Sequence, residues 1–167
     1  MLKSVLTVTA ALLLTAGAAD AQVKRTGDEA SPISSVVSVP PGYGIVYVAG
    51  LTAGGKGSPI PATMDTKAQS LIVFDKLKEA LAGEGLTFAD VTMMNVYLAP
   101  DPAKGKMDSA GMNEAFKQYF GTADQPNKPA RVTFQVGALG GPTTLVEISL
   151  QAAKPPPVKP VAKKKKK

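Results

Sequence analysis

Apolar residues recur at helical spacing in two parts of the chain. Between Thr66 and Ala82 they return every three or four positions, which predicts a helix that begins at Asp65 or Thr66 and turns Lys76 toward water. The same spacing returns after Asp108 and predicts a second helix that ends at Gly121. The predicted buried stripe of this second helix consists of Met112, Phe116, Tyr119 and Phe120.

Around these helices the pattern changes to the short β-branched and alternating runs that are typical of strands. The first two runs are separated by the turn cluster Pro40-Pro41-Gly42, so we expect two short strands with a tight connection. The predicted strands cover residues 35–39, 44–49, 91–98, 131–136 and 144–150. The resulting order, ββαβαββ, predicts an α+β fold, a mixed sheet with two helices packed on one face.

The last two strands indicate what the opposite face of the sheet carries. Their alternation is expected to place polar side chains on that face, beside apolar neighbours such as Leu145. The polar residues assigned to this face are Arg131, Thr133, Gln135 and Glu147. Because a mixed face of this kind is seldom left exposed, we expect a homo-oligomer that packs sheet faces together.

The two ends of the chain differ from its body. Residues 1–21 combine Lys3, an apolar run and the sequence Ala19-Asp20-Ala21, which predicts a cleaved signal peptide and a periplasmic or secreted protein. Residues 22–31 are interpreted as an N-terminal linker, and residues 32–153 as the folded domain.

The tail, residues 154–167, is rich in Pro and Lys and is predicted to be disordered. It carries seven lysines, whereas residues 27–153 carry nine basic and twelve acidic side chains. The body is therefore mildly acidic, and no specific nucleic-acid surface is expected on it. The tail could make weak contact with anionic membranes, or it could simply keep the protein in solution.

Composition limits the chemistry. The 167 residues contain no Cys and no His, which excludes Ser-His-Asp and Cys-His catalysis as well as thiolate metal sites. The remaining groups favour proton transfer to a bound small molecule by carboxylates and water.

Two charged residues of the last strands are the main candidates for that chemistry. Arg131 is the only Arg of the predicted domain, and its planar guanidinium suits a small carboxylate ligand. An ion pair with an acid across a subunit interface is the alternative. Glu147 interrupts an apolar strand, so it is either a satisfied structural charge or a general acid/base. Asn113 could orient a ligand or make a local hydrogen bond.

The sequence from Asn127 through Pro129-Ala130-Arg131, followed by Glu147-Ile148, is similar to the P-A-R…E-I signature of the RidA/YjgF (reactive intermediate deaminase, formerly L-PSP endoribonuclease) family. The similarity covers about residues 32–153. Supporting segments are Val46–Gly50, Gln69–Leu77, Leu86–Val91, Asn95–Leu98 and Met112–Phe120.

This resemblance implies a chorismate-mutase-like subunit that forms a homotrimer with ligand clefts between subunits. It implies that Arg131 holds the carboxylate of a small enamine or imine and that Glu147 manages the attacking water. Asn113 and Thr133 would line the substrate site. The products would be a 2-keto acid and ammonia, formed without a metal or an organic cofactor, as in 2-iminobutanoate/2-iminopropanoate deaminases.

Two departures from the family pattern bear on the cleft. Ala49-Gly50-Leu51 stands where active members usually have Ser-Gly-Gln, and Thr133 stands where a Cys is common. Both changes imply a less polar cleft that accepts a larger and more apolar substrate. The rival hypothesis is a non-catalytic trimeric module of the cell envelope that binds a small carboxylate.

Overall fold

In a computed structural model of the protein, residues 22–55 and 57–157 are described. The predicted signal peptide, Lys56 and residues 158–167 of the predicted tail lie outside these ranges. The elements along the chain are β1 (Lys24–Thr26), β2 (Val36–Ser38), β3 (Gly44–Thr52), α1 (Thr66–Gly83), β4 (Val91–Leu98), α2 (Ser109–Phe116), β5 (Ala130–Gln135) and β6 (Val146–Lys154). A single 3₁₀ turn, Phe88–Asp90, precedes β4.

The four long strands form one mixed sheet in the order β3-β6-β4-β5. The β3–β6 and β4–β6 pairs are antiparallel, whereas β5 runs parallel to β4 at the edge. Both helices pack on the same face of this sheet, because the core contains residues from α1 and α2 together with one face of β4 and β6. The predicted α+β fold is confirmed.

Local sequence explains where α1 begins and ends. The Asp65 side chain accepts a hydrogen bond from the Ala68 backbone N–H at 2.8 Å, which caps the helix as the sequence predicts. Gly85, at φ +72°, adopts the left-handed conformation that follows many helix ends and turns the chain toward β4. Phe74 and Leu77 are fully buried on the apolar stripe of the helix.

Two expected elements differ from the prediction. Strand β2 does not join the main sheet through a tight connection to β3, because it pairs instead with β1 in a separate two-stranded sheet. Strand β1 itself lies inside the stretch interpreted as a linker. Helix α2 ends at Phe116 rather than at Gly121, and the chain then continues in turns that still bury Phe120.

The face assignment of β5 was wrong. Parallel pairing with β4 sets Arg131 beside Met94 and Thr133 beside Val96, and both of these β4 residues are buried against the helices. Arg131, Thr133 and Gln135 therefore lie on the helix face. Strict alternation shows that a strand has two faces, but it does not show which of them meets the helices.

The other face, which we call the open face, carries exposed aromatic and aliphatic side chains. Tyr47 is 73% exposed, Phe134 is 53% exposed and Ile45 is 42% exposed. Leu145, expected on this face, is instead buried in the core. Among the described residues, no helix has the length and apolar character needed to cross a membrane.

Candidate functional site

Arg131 lies on the edge strand β5 and is held by two residues of α2. Its Nη2 donates a hydrogen bond to Asn113 Oδ1 at 2.8 Å. The guanidinium carbon lies 4.4 Å from the centre of the Phe116 ring, in cation–π geometry. Because Phe116 is fully buried and Asn113 is on the same helix, the guanidinium is fixed against a rigid support.

The charge of Arg131 is only partly compensated by these contacts. None of the ion pairs found among the described residues includes Arg131. The Arg131 Nη1 atom is buried and has no hydrogen-bond partner among the described residues. Burial lowers the pKa of Arg131 below its usual value, yet a guanidinium stays protonated at any physiological pH. The site thus offers a positive charge with an unused N–H group.

Thr133 lies two residues further along the same face of β5. Its Oγ1 is also buried without a partner among the described residues. Two unsatisfied polar groups, Thr133 Oγ1 and Arg131 Nη1, therefore occur on neighbouring positions of one strand face. Buried polar groups are normally hydrogen-bonded, so this pair marks a place where a polar ligand or water would be stabilised.

Glu147 lies on the open face of β6. It pairs in register with Thr52 of β3 on one side and with Tyr97 of β4 on the other. Its half-buried side chain makes no ion pair with any described residue. One cleft beside Glu147 has a volume of about 400 Å³ and is lined by Gly50, Tyr97, Val136, Ala138, Leu139 and Ser149. Glu147 also lines a second cleft, of about 410 Å³.

Gly50 makes room for the Glu147 side chain. It sits where the β3–β6 register shifts between Val48 and Leu51. A Cβ atom at position 50 would collide with the carboxylate of Glu147. The φ of Gly50 is not in the left-handed region, so the requirement for Gly is steric. Gly50 therefore allows the carboxylate to lie directly over β3.

The four residues proposed from the sequence fall into two groups. Arg131, Asn113 and Thr133 come together on the helix face, where Arg131 and Asn113 are in direct contact. Glu147 lies on the opposite face of the sheet, and strand β4 separates β6 from β5. Within one chain Arg131 and Glu147 are therefore apart.

Sequence reasoning missed three residues that shape these groups. Phe116 was assigned to the core and gave no sign of its contact with Arg131. Gly50 was noted only within a departure from the family pattern, and its close approach to Glu147 depends on pairing across strands. Lys76 was wrongly expected to face water, because it is half-buried and hydrogen-bonded to backbone carbonyls near the Glu147 clefts.

Comparison with known proteins finds one matching family model and several solved structures with the same fold. The family model described as Endoribonuclease L-PSP matches residues 28–154. The solved structure of YyfB from Yersinia pestis, a Rid-family protein of unknown function, has a TM-score of 0.63 and 24% identity, and the match covers 78% of this chain and 97% of that chain.

Two further structures share the fold. E. coli TdcF with bound serine has a TM-score of 0.54 and 22% identity, and the match covers 78% of this chain and 98% of TdcF. Yeast Mmf1 has a TM-score of 0.54 and 20% identity, with coverage of 80% and 99%. At these identities the likeness is one of fold.

The contact between Gly50 and Glu147 generates a prediction. In Gly50→Ala the new methyl group occupies the place of the Glu147 carboxylate, so the side chain must adopt another rotamer. We expect a loss of about 1 to 2 kcal/mol in the free energy of unfolding, measured by urea denaturation, because overpacking displaces neighbouring atoms. A crystal structure of the variant should show Glu147 moved.

Gly83→Ala is the matched control, since a Cβ there meets open space at the end of α1. It should leave stability unchanged or slightly raised. The double variant Gly50→Ala/Glu147→Ala should recover the stability lost in Gly50→Ala, because the clashing carboxylate is gone. An unmoved Glu147 in the single variant would contradict this account.

Proposed function

Because the chain belongs to the Endoribonuclease L-PSP family, which includes the RidA and YjgF proteins, we propose that it is an exported hydrolytic deaminase of small enamine or imine carboxylates. The products are a 2-keto acid and ammonia. The reaction uses only side chains and water.

The observation that carries this proposal is the state of Arg131. A half-buried guanidinium without an acidic partner among the described residues is costly unless something binds it. A carboxylate is the ligand that best matches its planar fork and its charge. Asn113 and Phe116 hold the guanidinium in place before the ligand binds. Binding therefore costs little conformational entropy of the Arg131 side chain.

Glu147 supplies the proton transfers in this proposal. Its carboxylate accepts a proton from water while the water oxygen bonds to the imine carbon and the C=N electron pair moves to nitrogen. The carboxylic acid then returns the proton to that nitrogen. This gives a carbinolamine, with one hydroxyl and one amino group on the same carbon. Glu147 then takes the hydroxyl proton and delivers it to the amino nitrogen, so that the C=O bond of the keto acid forms as the C–N bond breaks and ammonia leaves. Atoms and charge balance without an oxidant or a reductant.

In this proposal one site is built from two copies of the chain. Since Arg131 and Glu147 lie on opposite faces in one protomer, we propose that Arg131 of one protomer and Glu147 of its neighbour meet in a cleft between them. The exposed Tyr47, Phe134 and Ile45 give the open face an apolar surface for such an association. A closed homotrimer repeats this cleft three times.

The same separation favours a second candidate function, a non-catalytic module that binds a small carboxylate through Arg131 alone. Four residues that line the cleft beside Glu147, namely Gly50, Val136, Ala138 and Leu139, have no polar side chain, which leaves Tyr97 and Ser149 beside Glu147 to orient water. Binding of 2-oxobutanoate without any turnover of the imine would support the module and exclude the deaminase.

Export is part of the proposal because residues 1–21 have the pattern of a cleaved signal peptide. We expect the intact mass of the protein recovered from the cell envelope or medium to correspond to a chain that begins at Gln22. A mass that includes Met1 in a cytosolic fraction would contradict export.

Substitution of Arg131 tests the proposed activity. Arg131→Ala should lower kcat/KM for 2-iminobutanoate, generated in situ, about 100-fold, which equals about 2.7 kcal/mol of transition-state stabilisation. Arg131→Lys should lower kcat/KM about 10-fold, because Lys keeps the positive charge but cannot bind a carboxylate through two parallel N–H groups. Keto acid release is followed in a coupled assay.

Lys106→Ala is the matched control, because it removes one positive charge from an exposed side chain that belongs to neither α2 nor β5. It should leave kcat/KM within twofold of the wild-type value. Equal rates for Arg131→Ala and the wild type, or no rate above the uncatalysed background for the wild type, would remove the deaminase proposal.

A further inference from the structure

The ammonium group of Lys76 binds three successive backbone carbonyl groups at the end of β3. Its Nζ donates to the oxygen of Thr52 at 2.9 Å, of Ala53 at 2.9 Å and of Gly54 at 2.6 Å. All three N–H groups of the ammonium are thereby used, and no carboxylate among the described residues takes part. Each of these bonds is charge-assisted and stronger than a bond between neutral groups.

The segment that Lys76 binds forms one wall of a Glu147 cleft. Thr52 is the register partner of Glu147 across the β3–β6 pair. Thr52, Gly54 and Gly55 line the second cleft beside Glu147, together with residues 140–144 on the opposite side. Two glycines give the backbone of this wall more conformational freedom, so a contact from outside the segment helps to hold it in place.

The opposite wall is tied to the same helix. Gln69 is fully buried on α1, and its Nε2 donates to the Thr143 oxygen at 2.9 Å while its Oε1 accepts from the Leu145 N–H at 2.9 Å. Gln69 and Lys76 are seven residues apart, which is about two turns and about 10 Å along one helix face. Helix α1 therefore holds both walls of the cleft at a fixed separation.

From this geometry we infer that Lys76 is a positioning residue for Glu147. It acts through the backbone of residues 52–54, which sets the place of the strand segment over which the Glu147 carboxylate lies. Its role in turnover rests on the proposed function, whereas its effect on the wall and on Glu147 does not.

The chemistry of the contact explains why Lys suits this position. A tetrahedral ammonium can direct three N–H bonds at three carbonyl oxygens, and its long stem spans the gap from α1. Met has a similar stem and no donor, so Lys76→Met removes the three bonds with little change in volume. Arg keeps the charge and several donors, so Lys76→Arg should preserve part of the tie.

The first test uses hydrogen exchange and NMR on the full-length protein and needs no enzymatic activity. In Lys76→Met, exchange of the amides of residues 52–55 should accelerate at least about 10-fold, and the ¹³C signal of the Glu147 carboxyl should shift. Lys78→Met, an exposed lysine on the same helix, should change neither. Lys76→Arg should give intermediate exchange.

The second test measures turnover of 2-iminobutanoate per folded molecule. Lys76→Met should lower kcat about 10-fold with KM within twofold, since Arg131 still binds the carboxylate, and Lys76→Arg should recover part of kcat. A merely structural role would lower the melting temperature without changing kcat per folded molecule. That result, or an unchanged Glu147 signal with unchanged exchange, would overturn the inference.

The two proposals fail in distinguishable ways. If the wild type shows no turnover, the deaminase proposal fails, and the exchange and NMR results alone decide whether Lys76 positions Glu147. If exchange rises while the Glu147 signal stays in place, Lys76 holds the strand without positioning Glu147, and the inference is wrong.

Discussion

The candidate site is built around one set of contacts, in which the Arg131 guanidinium is held between the Asn113 amide and the Phe116 ring. This support fixes the orientation of a half-buried cation and leaves its Nη1 without a hydrogen-bond partner among the described residues. An acid in place of Asn113 would neutralise the charge, and a smaller residue in place of Phe116 would let the side chain move. The combination present in this chain keeps the charge available and ordered, which a carboxylate site requires.

The arrangement of the sheet then determines how a site can be built around that group. Strand β5 is an edge strand, so Arg131 lies near the border of the subunit, and β6 directs Glu147 to the other face. Within a single chain Arg131 and Glu147 lie on opposite faces of the sheet. We propose that assembly of the protomers brings the two residues together. Helix α1 holds the walls of the Glu147 cleft in place through the hydrogen bonds of Lys76 and Gln69.

Much of the fold could be predicted from the sequence, because the spacing of apolar residues indicates which side of each helix or strand is buried. Helix α1, strand β4 and the Asp65 cap follow from local pattern. The sequence could not predict which face of β5 meets the helices. Arg131 has a long apolar stem and a charged end, so it fits both a face exposed to solvent and an edge covered by a helix. The roles of Gly50 and Lys76 depend on register and on contacts between distant segments, which no local pattern contains.

The most direct test of the central claim, that Arg131 and Glu147 of different protomers form one site, is complementation in mixed oligomers. Full-length Arg131→Ala and Glu147→Gln chains carrying different affinity tags are co-expressed, purified through both tags and assayed with 2-iminobutanoate. Each mixed trimer contains one cleft with both residues intact, so the account predicts about one third of the wild-type activity from two inactive chains. Mixed oligomers no more active than either variant alone would contradict it.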